Sequence, residues 1–387
     1  MKKFKGIILI IVCVCLAFCF AACAQDGGGA QGEVISGGAL VSERVRWIGR
    51  TEETENGVNV CNTAAGFAVK FTGTRVSVTF KAENALSDGK RPYFTASVDG
   101  EVAPAGKRFA LTAPTQTVAA AENLAYGTHV LAVLKESEPE HGLTAVTAIE
   151  TDGEFKTAPE HKGLKFQILG GSGISGHGCL GSAGEEWTTE NSSSLRGFGY
   201  LAARAFGAEC QFVSNSGMGL VWGYRGVTPL TQAYEAAGLY AEYNDDGTTK
   251  AVVGKGDWDH TSWVPDAVIV NIGGNDYNSH INLLSGTARE QAETQFKTAV
   301  TALLDRIIGL YPSAKVVWTC NSVKSGNGAL AYEAIGSRPC VKFAALSGEK
   351  TGADNHADAA TQIENADRVI SALTSFGFNP VRENIKA

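Results

Sequence analysis

The sequence predicts two domains of different class: an N-terminal β-sandwich of the jelly-roll type and a C-terminal α/β domain, a flavodoxin-like three-layer arrangement around a parallel sheet. Three observations carry that expectation. Between Arg44 and Ala148, short runs with two-residue alternation recur at near-regular spacing, separated by Gly-containing turns. From Leu164 onward, continuous apolar runs alternate with stretches of helical period, the pattern of a parallel sheet covered on both faces. A polar, Pro-containing stretch, Asp152–Lys162, separates the two. The chain's 387 residues suffice for two domains of ordinary size, and 44% apolar with 19% charged content is that of a globular protein. A net charge of −7 without a long basic run excludes nucleic acid as the main partner, because phosphate binding needs clustered Lys and Arg.

The chain opens on a secretory leader. Met1-Lys-Lys-Phe-Lys5 is basic, Gly6–Phe20 is apolar, and small residues precede Cys23. Phe20-Ala21-Ala22-Cys23 is similar to the lipobox of bacterial lipoproteins, with Phe20 where that motif usually has Leu. The expectation is a lipoprotein signal peptide over residues 1–23, lipidation at Cys23 and a Gly-rich flexible tether over residues 24–42. This implies export across the bacterial cytoplasmic membrane and anchoring to the cell envelope. Ordinary signal cleavage, with Cys23 incidental, is the alternative. The apolar stretch is too short, with the wrong flanks, for a permanent transmembrane helix. Beyond the leader stand Cys61, Cys179, Cys210, Cys320 and Cys340, none at CxxC spacing, so a zinc site is not expected. A disulfide between Cys320 and Cys340 stays open in an oxidising compartment.

In the β domain, residues 43–155, strands are expected at Phe67–Thr72, Arg75–Lys81, Tyr93–Gly100 with its Asp99-Gly100 turn, Thr128–Lys135 and Leu143–Glu150. Such a domain either presents a sugar-binding face or caps its neighbour. In the α/β domain, residues 162–387, strands are expected at Leu164–Leu169, Cys210–Ser214, Ala267–Ile272, Ala314–Thr319 and Val341–Leu346. Helices are expected at Ser192–Phe206, Ala288–Leu310, Leu330–Gly336 and Ala359–Phe376. The first of these starts at possible Ser caps and repeats Leu195, Phe198, Leu201 and Ala205 on one face.

Four loops carry chemistry. Gly170-Gly-Ser172 follows the first α/β strand, and Asn215-Ser-Gly217-Met-Gly219 follows the second. Gly273-Gly-Asn275-Asp276 follows the third, and Gly352-Ala-Asp354-Asn-His356 precedes the last helix. Each alone reads as a turn, a helix cap or a solvated His. Together they place a hydroxyl, a Gly amide, an Asn amide and an imidazole at the carboxyl ends of strands in one doubly wound sheet, where such folds bind ligands. That is the part list of acyl transfer: nucleophile, oxyanion donors and general base.

These blocks, Ser172, Gly217, Asn275 and His356, resemble the SGNH (GDSL-type) hydrolase superfamily, most specifically in Ile272-Gly-Gly-Asn-Asp-Tyr277 and Gly352-x-Asp-x-His356. With the preceding sandwich, and with Lys135-Glu-Ser-Glu138, Ser216-Gly-Met-Gly-Leu220 and Ser175-Gly-His-Gly178, the chain is similar to carbohydrate esterase family two, two-domain acetyl xylan esterase-like enzymes of polysaccharide breakdown. The resemblance implies removal of O-acetyl groups from plant-type polysaccharides or oligosaccharides. Ser172 would be the nucleophile and His356 the base. The Ser172 and Gly217 amides and the Asn275 side chain would form the oxyanion hole, with Gly219 as the alternative to Gly217. Asp354 stands two before His356, where the superfamily often has its Asp three before, and is a candidate orienter. No cofactor and no metal is implied, and the protein is expected to be a monomer. The family's Gly-Asp-Ser reads Gly170-Gly171-Ser172 here, which motivates a second reading, a weakened or inactive glycan-binding lipoprotein. Trp187, Trp222, Tyr224, Trp258, His260 and Trp263 fall between the blocks, and Trp222, Tyr224 and Trp258 are the candidates for stacking on sugar. His177 and His260 are rival bases, expected to serve structure or substrate contact.

Overall fold

The computed structural model describes residues 32–100, 106–245 and 248–381. The leader, Cys23 and residues 24–31 lie outside the described residues.

The N-terminal half is a sandwich of two antiparallel six-stranded sheets. One runs 52–54, 57–59, 144–151, 76–82, 115–121, with 33–36 also paired to 144–151. The other runs 154–156, 66–73, 127–135, 93–98, 107–110, with 45–48 also paired to 66–73. Alternation sets the faces. Along Val76–Ala82, Val76, Val78, Phe80 and Ala82 point inward while Ser77, Thr79 and Lys81 point out. The inner faces meet in one core around Phe67, Phe71, Phe80, Phe94, Leu131 and Ile149, with the Phe80 and Phe94 rings 4.8 Å apart.

Two expectations about the ends of this domain need correction. Residues 33–40 are not tether. Glu33–Ser36 pairs with Ala148–Thr151, and Ile35 and Leu40 are fully buried, because two apolar side chains at this spacing close the sandwich edge. Nor is the whole of Asp152–Lys162 linker, since Glu154–Lys156 pairs with Lys70–Thr72 and Phe155 is buried.

The C-terminal half is built on five parallel strands: β1 (Lys165–Gly170), β2 (Glu209–Ser214), β3 (Ala267–Asn271), β4 (Lys315–Cys320) and β5 (Val341–Ala345). Their order is β2-β1-β3-β4-β5, the doubly wound arrangement with its switch point between β1 and β3. The longer helices are α1 (Phe198–Ala205), α2 (Gly274–Ser279), α3 (Gly286–Leu310), α4 (Gly326–Ile335) and α5 (Ala359–Thr374), and a single helical turn lies at Leu230–Ala233. Phe296, Val300 and Leu304 of α3 pack on Val268, Val270 and Val316 on one face. Leu201 and Ala202 of α1 and Val369 and Leu373 of α5 cover Phe166, Ile168 and Val317 on the other. An antiparallel hairpin, 236–243 with 249–257, is inserted between β2 and β3. All five described cysteines are free thiols, so Cys320 and Cys340 are not joined.

The sandwich is pinned to the α/β half. Arg50, 1% exposed, donates to Gln211 Oε1 at 3.3 Å and to the carbonyls of Tyr234 at 2.9 Å and Ala236 at 2.5 Å. Arg108 bonds Glu136 of its own domain and reaches the carbonyls of Thr189, Glu190 and Ser192. The sandwich turn after Lys135 thereby rests against the loop after β2: the Glu140 N–H donates to Asn215 Oδ1 at 3.1 Å.

Candidate active site

Ser172, Gly217 and Asn275 follow the carboxyl ends of β1, β2 and β3, and His356 stands just ahead of α5. β1 ends on Gly170 with φ 156°, and a Cβ there would lie 2.1 Å from the Asn271 carbonyl, so only glycine lets β1 and β3 close at this point. The chain then turns, with the Ser175 N–H donating to the Gly171 carbonyl and the His177 N–H to that of Ser172. Ser172 opens into a cleft of about 490 Å³. His356 Nε2 is 2.8 Å from Ser172 Oγ. His356 Nδ1 is 2.7 Å from the main-chain carbonyl of Asp354, which as an acceptor fixes the proton on Nδ1 and leaves Nε2 to receive one. The expected nucleophile and base are therefore assembled.

The orienter differs from the expectation. Asp354 does orient His356, but through its main-chain oxygen; its carboxylate faces the other way, to His177 Nε2 at 3.1 Å. The backbone turns twice through left-handed angles, φ 49° at Asp354 and 58° at Asn355, and this aims the carbonyl at the imidazole. Asp and Asn tolerate such angles better than most residues.

Gly217 and Asn275 line the cleft with Ser172, and Gly219 does not. Among the described residues, neither the Ser172 nor the Gly217 N–H donates to a protein acceptor. Asn275 gives one amide hydrogen to the Met218 carbonyl at 2.9 Å and keeps its second free. Three donors are thus available to an oxyanion. Behind them, Asp276 is wholly buried and accepts the N–H groups of Leu220, Val221 and Trp222 at 2.6, 2.7 and 2.9 Å. It ties the block after β3 to the loop that carries Gly217. A Cβ at Gly171 would approach Met218 O to 3.1 Å and Asn275 Nδ2 to 3.3 Å. A side chain here would be closely packed, and the Met218 carbonyl and the Asn275 amide would have to give by a few tenths of an ångström.

Of the three aromatic candidates, Tyr224 lines the cleft. Trp222 turns away and stacks on His280, centroids 4.2 Å apart. Trp258 lies under the Arg50 guanidinium at 4.8 Å, in the seam between the domains. The indole on the cleft wall is Trp187, stacked on His177 at 5.0 Å and 7°. His260 binds Tyr311 and Glu235 away from the cleft. The sandwich contributes Lys90, Glu140 and His141 to the cleft, and the inserted hairpin contributes Thr249. None of these four belongs to a block that the sequence marks, although Glu140 and His141 follow the Lys135–Glu138 stretch directly.

The electrostatics are those of a working base. Burial and the neighbouring His177 hold His356 below the usual imidazole value of 6.5. His177 goes the other way: burial opposes its charge, but Glu138, Glu140 and Asp354 outweigh it and raise it. Burial, then Glu138, pushes Glu140 up to about 8, and burial takes His141 down to about 3. His177–Asp354–His356 and Glu138–Glu140–His141 each bring three ligand-type atoms within 4.8 Å.

The two-domain order agrees with the comparisons with known proteins. Residues 168–379, more than half of the chain, match the GDSL-like lipase/acylhydrolase family. The chain belongs to that family. Ahead of this GDSL domain, residues 47–159 match the carbohydrate esterase 2 N-terminal domain. The cellulase/esterase CelE of Acetivibrio thermocellus is 26% identical over 277 residues, 70% of this chain and 30% of that protein. An acetylxylan esterase/glucomannan deacetylase of Cellvibrio japonicus is 27% identical over 202 residues, 52% of each. The chain thus spans about a third to a half of the length of these relatives. In fold, it is similar to a family two carbohydrate esterase from Clostridium thermocellum in complex with cellohexaose, with a TM-score of 0.70 and 24% identity over 87% of this chain and all of that one. It is likewise similar to an acetyl xylan esterase from the rumen bacterium Butyrivibrio proteoclasticus, with a TM-score of 0.73 and 19% identity over 90% of this chain and all of that one.

Proposed function

We propose that this GDSL-family chain is a carbohydrate O-acetyl esterase acting on acetylated plant-type polysaccharides or oligosaccharides. The observation that carries the reading is the 2.8 Å contact of His356 Nε2 with Ser172 Oγ, beside two unengaged N–H groups and the Asn275 amide. Ser172 Oγ attacks the acetyl carbonyl as its proton passes to His356 Nε2. The Ser172 and Gly217 N–H groups and Asn275 hold the oxyanion. His356 returns the proton to the departing sugar hydroxyl, leaving an acetyl-Ser172 ester. A water, deprotonated by His356, then releases acetate. The names of the relatives support the acetyl-sugar substrate. The open cleft, walled by Trp187, Tyr224 and polar residues of both domains, suits an oligosaccharide better than an acyl chain.

The test compares the full chain with Ser172→Ala on p-nitrophenyl acetate and on acetylated xylan and mannan. A wild type no faster than the variant ends the proposal. The assembled dyad favours this reading over an inactive glycan-binding lipoprotein, whose motive is Gly171 in place of the family's Asp. We also propose that Cys23 is lipidated and anchors the protein to the cell envelope. The support is the leader and its lipobox-like end. Substituting Cys23→Ser and fractionating cells checks this, and unchanged membrane retention refutes it.

A further inference from the structure

Two buried charged groups near the dyad are not used by the mechanism above. Glu138, at the end of a sandwich strand, is 4% exposed, and neither carboxylate oxygen has a hydrogen-bond partner among the described residues. His177, in the nucleophile loop, is 7% exposed and uses both ring nitrogens: Nδ1 lies 2.8 Å from Ser216 Oγ, and Nε2 lies 3.1 Å from Asp354 Oδ2. Glu138 Oε2 is 3.9 Å from His177 Nδ1, close enough for charge attraction. Trp187 stacks flat on the imidazole and stops it rotating. The far end of the chain is Asp354, whose own carbonyl orients His356 and whose backbone sits at φ 49°. A strained conformation of this kind persists only where its surroundings hold it. The grip of His177 on the Asp354 carboxylate is such a hold.

We propose that His177 is the positioning residue of this site. Held by Glu138 of the sandwich, it fixes the Asp354 carboxylate, and so the Asp354 carbonyl that orients the base. The path runs Glu138, His177, Asp354, His356, Ser172, and the N-terminal domain is part of the proton-transfer apparatus rather than a cap on it. The cation also works through space. The His177 and His356 rings are 4.5 Å apart, so a protonated His177 disfavours a proton on His356 and keeps it a free base at lower pH. The groups facing this pair are Glu138, Glu140 and His141 of the sandwich, Lys90 at the rim and Asp354 of the turn. Directions agree with this arrangement: His177 is raised and His356 lowered.

The inference rests on the esterase reading only for its kinetic arm. The experiment uses the full chain carrying Asp354→Asn, Glu138→Gln or His177→Asn. Asp354→Asn is the safest for folding, since the side chain is surface-facing and Asn tolerates a left-handed angle, but the variant removes the carboxylate charge that His177 holds. For Asp354→Asn and His177→Asn, kcat on p-nitrophenyl acetate falls about 10- to 100-fold with KM little changed, the loss expected when a base is misplaced. The double variant is no worse than the poorer single, because both break one path. In His177→Asn the acid limb of kcat/KM moves to higher pH. Imidazole NMR titration, which needs no substrate, must show the His356 pKa rising in His177→Asn and the His177 pKa falling in Glu138→Gln. If the ester assay fails but these pKa values move as stated, the positioning proposal stands and the substrate class falls. An unmoved His356 pKa in His177→Asn overturns the proposal whatever the kinetics, as does wild-type kcat in Asp354→Asn with the His177 pKa unchanged.

Discussion

Replacing Asp276 should disable the site from behind. Its carboxylate accepts three main-chain N–H groups, Leu220 on Oδ2 and Val221 and Trp222 on Oδ1, and no part of the residue is exposed. In Asp276→Asn the amide oxygen keeps the two Oδ1 bonds, while the NH₂ faces the Leu220 N–H. One charge-assisted bond is lost and two donors oppose each other, a loss of about 2 kcal/mol given ~1.5–3 for such a bond. Asp276→Ala strands all three donors. At ~1–3 kcal/mol for each buried, unmade bond, and with Val221 and Trp222 only half-buried and so open to some water, about 4 kcal/mol is expected. The same loop carries Gly217, so its loosening removes an aligned oxyanion donor, worth roughly 10²-fold in kcat. Urea unfolding of the full chain, amide exchange at Leu220–Trp222 and kcat on p-nitrophenyl acetate measure the three effects. Variants within about 0.5 kcal/mol of wild type, the range of ordinary surface substitutions, and with wild-type kcat would refute the brace.

The other predictions are shorter. Gly171→Asp lowers kcat about 10-fold or more by displacing Asn275, a misplacement cost, with Gly171→Ala intermediate; a gain in kcat contradicts the packing described at Gly171. Asn275→Ala lowers kcat roughly 10²- to 10³-fold with a modest change in KM, the signature of a donor used in the transition state, and a raised KM with kcat unchanged argues for a ground-state role. Because burial and His177 hold His356 below 6.5, and His356 must be neutral to accept a proton, kcat/KM is on its plateau at neutral pH and falls only as pH drops through a midpoint below 6.5; an acid limb centred above that value is incompatible with the arrangement. Arg50→Met strands the Tyr234 and Ala236 carbonyls, while Gln211 Oε1 keeps its bond from Gln167, costing about 3 kcal/mol by the usual penalty for unmade buried bonds; an unchanged urea midpoint means the domains do not depend on this clamp.

The parallel sheet was legible because its strands are apolar on both faces, and β1 to β5 fall within two residues of their expected bounds. The inner sandwich strands were legible for a related reason, one apolar face. Thr115–Ala121 was not, since Thr-Gln-Thr-Val-Ala-Ala-Ala has no aromatic residue and no alternating apolar face, and it is a strand by pairing with Val76–Lys81. The hairpin 236–257 was hidden by Gly238, Gly254 and Gly256, which break its pattern. Ser172, Gly217, Asn275 and His356 could be named because each follows a strand or opens the last helix, so topology brings them together. Which indole faces sugar could not be read. Trp222, Trp258 and Trp187 differ in side-chain direction, which packing against His280, Arg50 and His177 decides. The bracing by Asp276 was equally hidden, because its partners lie more than fifty residues away and are main-chain atoms.

The orienting group at position 354 belongs to the main chain, and every amino acid owns one. No replacement of the side chain can delete that oxygen; only a change of torsion angle can withdraw it from the imidazole. A search that counts a third acidic side chain as the mark of a competent hydrolase would score this chain by the wrong atom. What specifies competence here is a bend, Asp354 and Asn355 both at positive φ, so residues that resist the bend are the damaging ones. A β-branched residue at 354 or 355 should silence the chemistry while leaving Ser172 and His356 untouched in any inventory of catalytic groups.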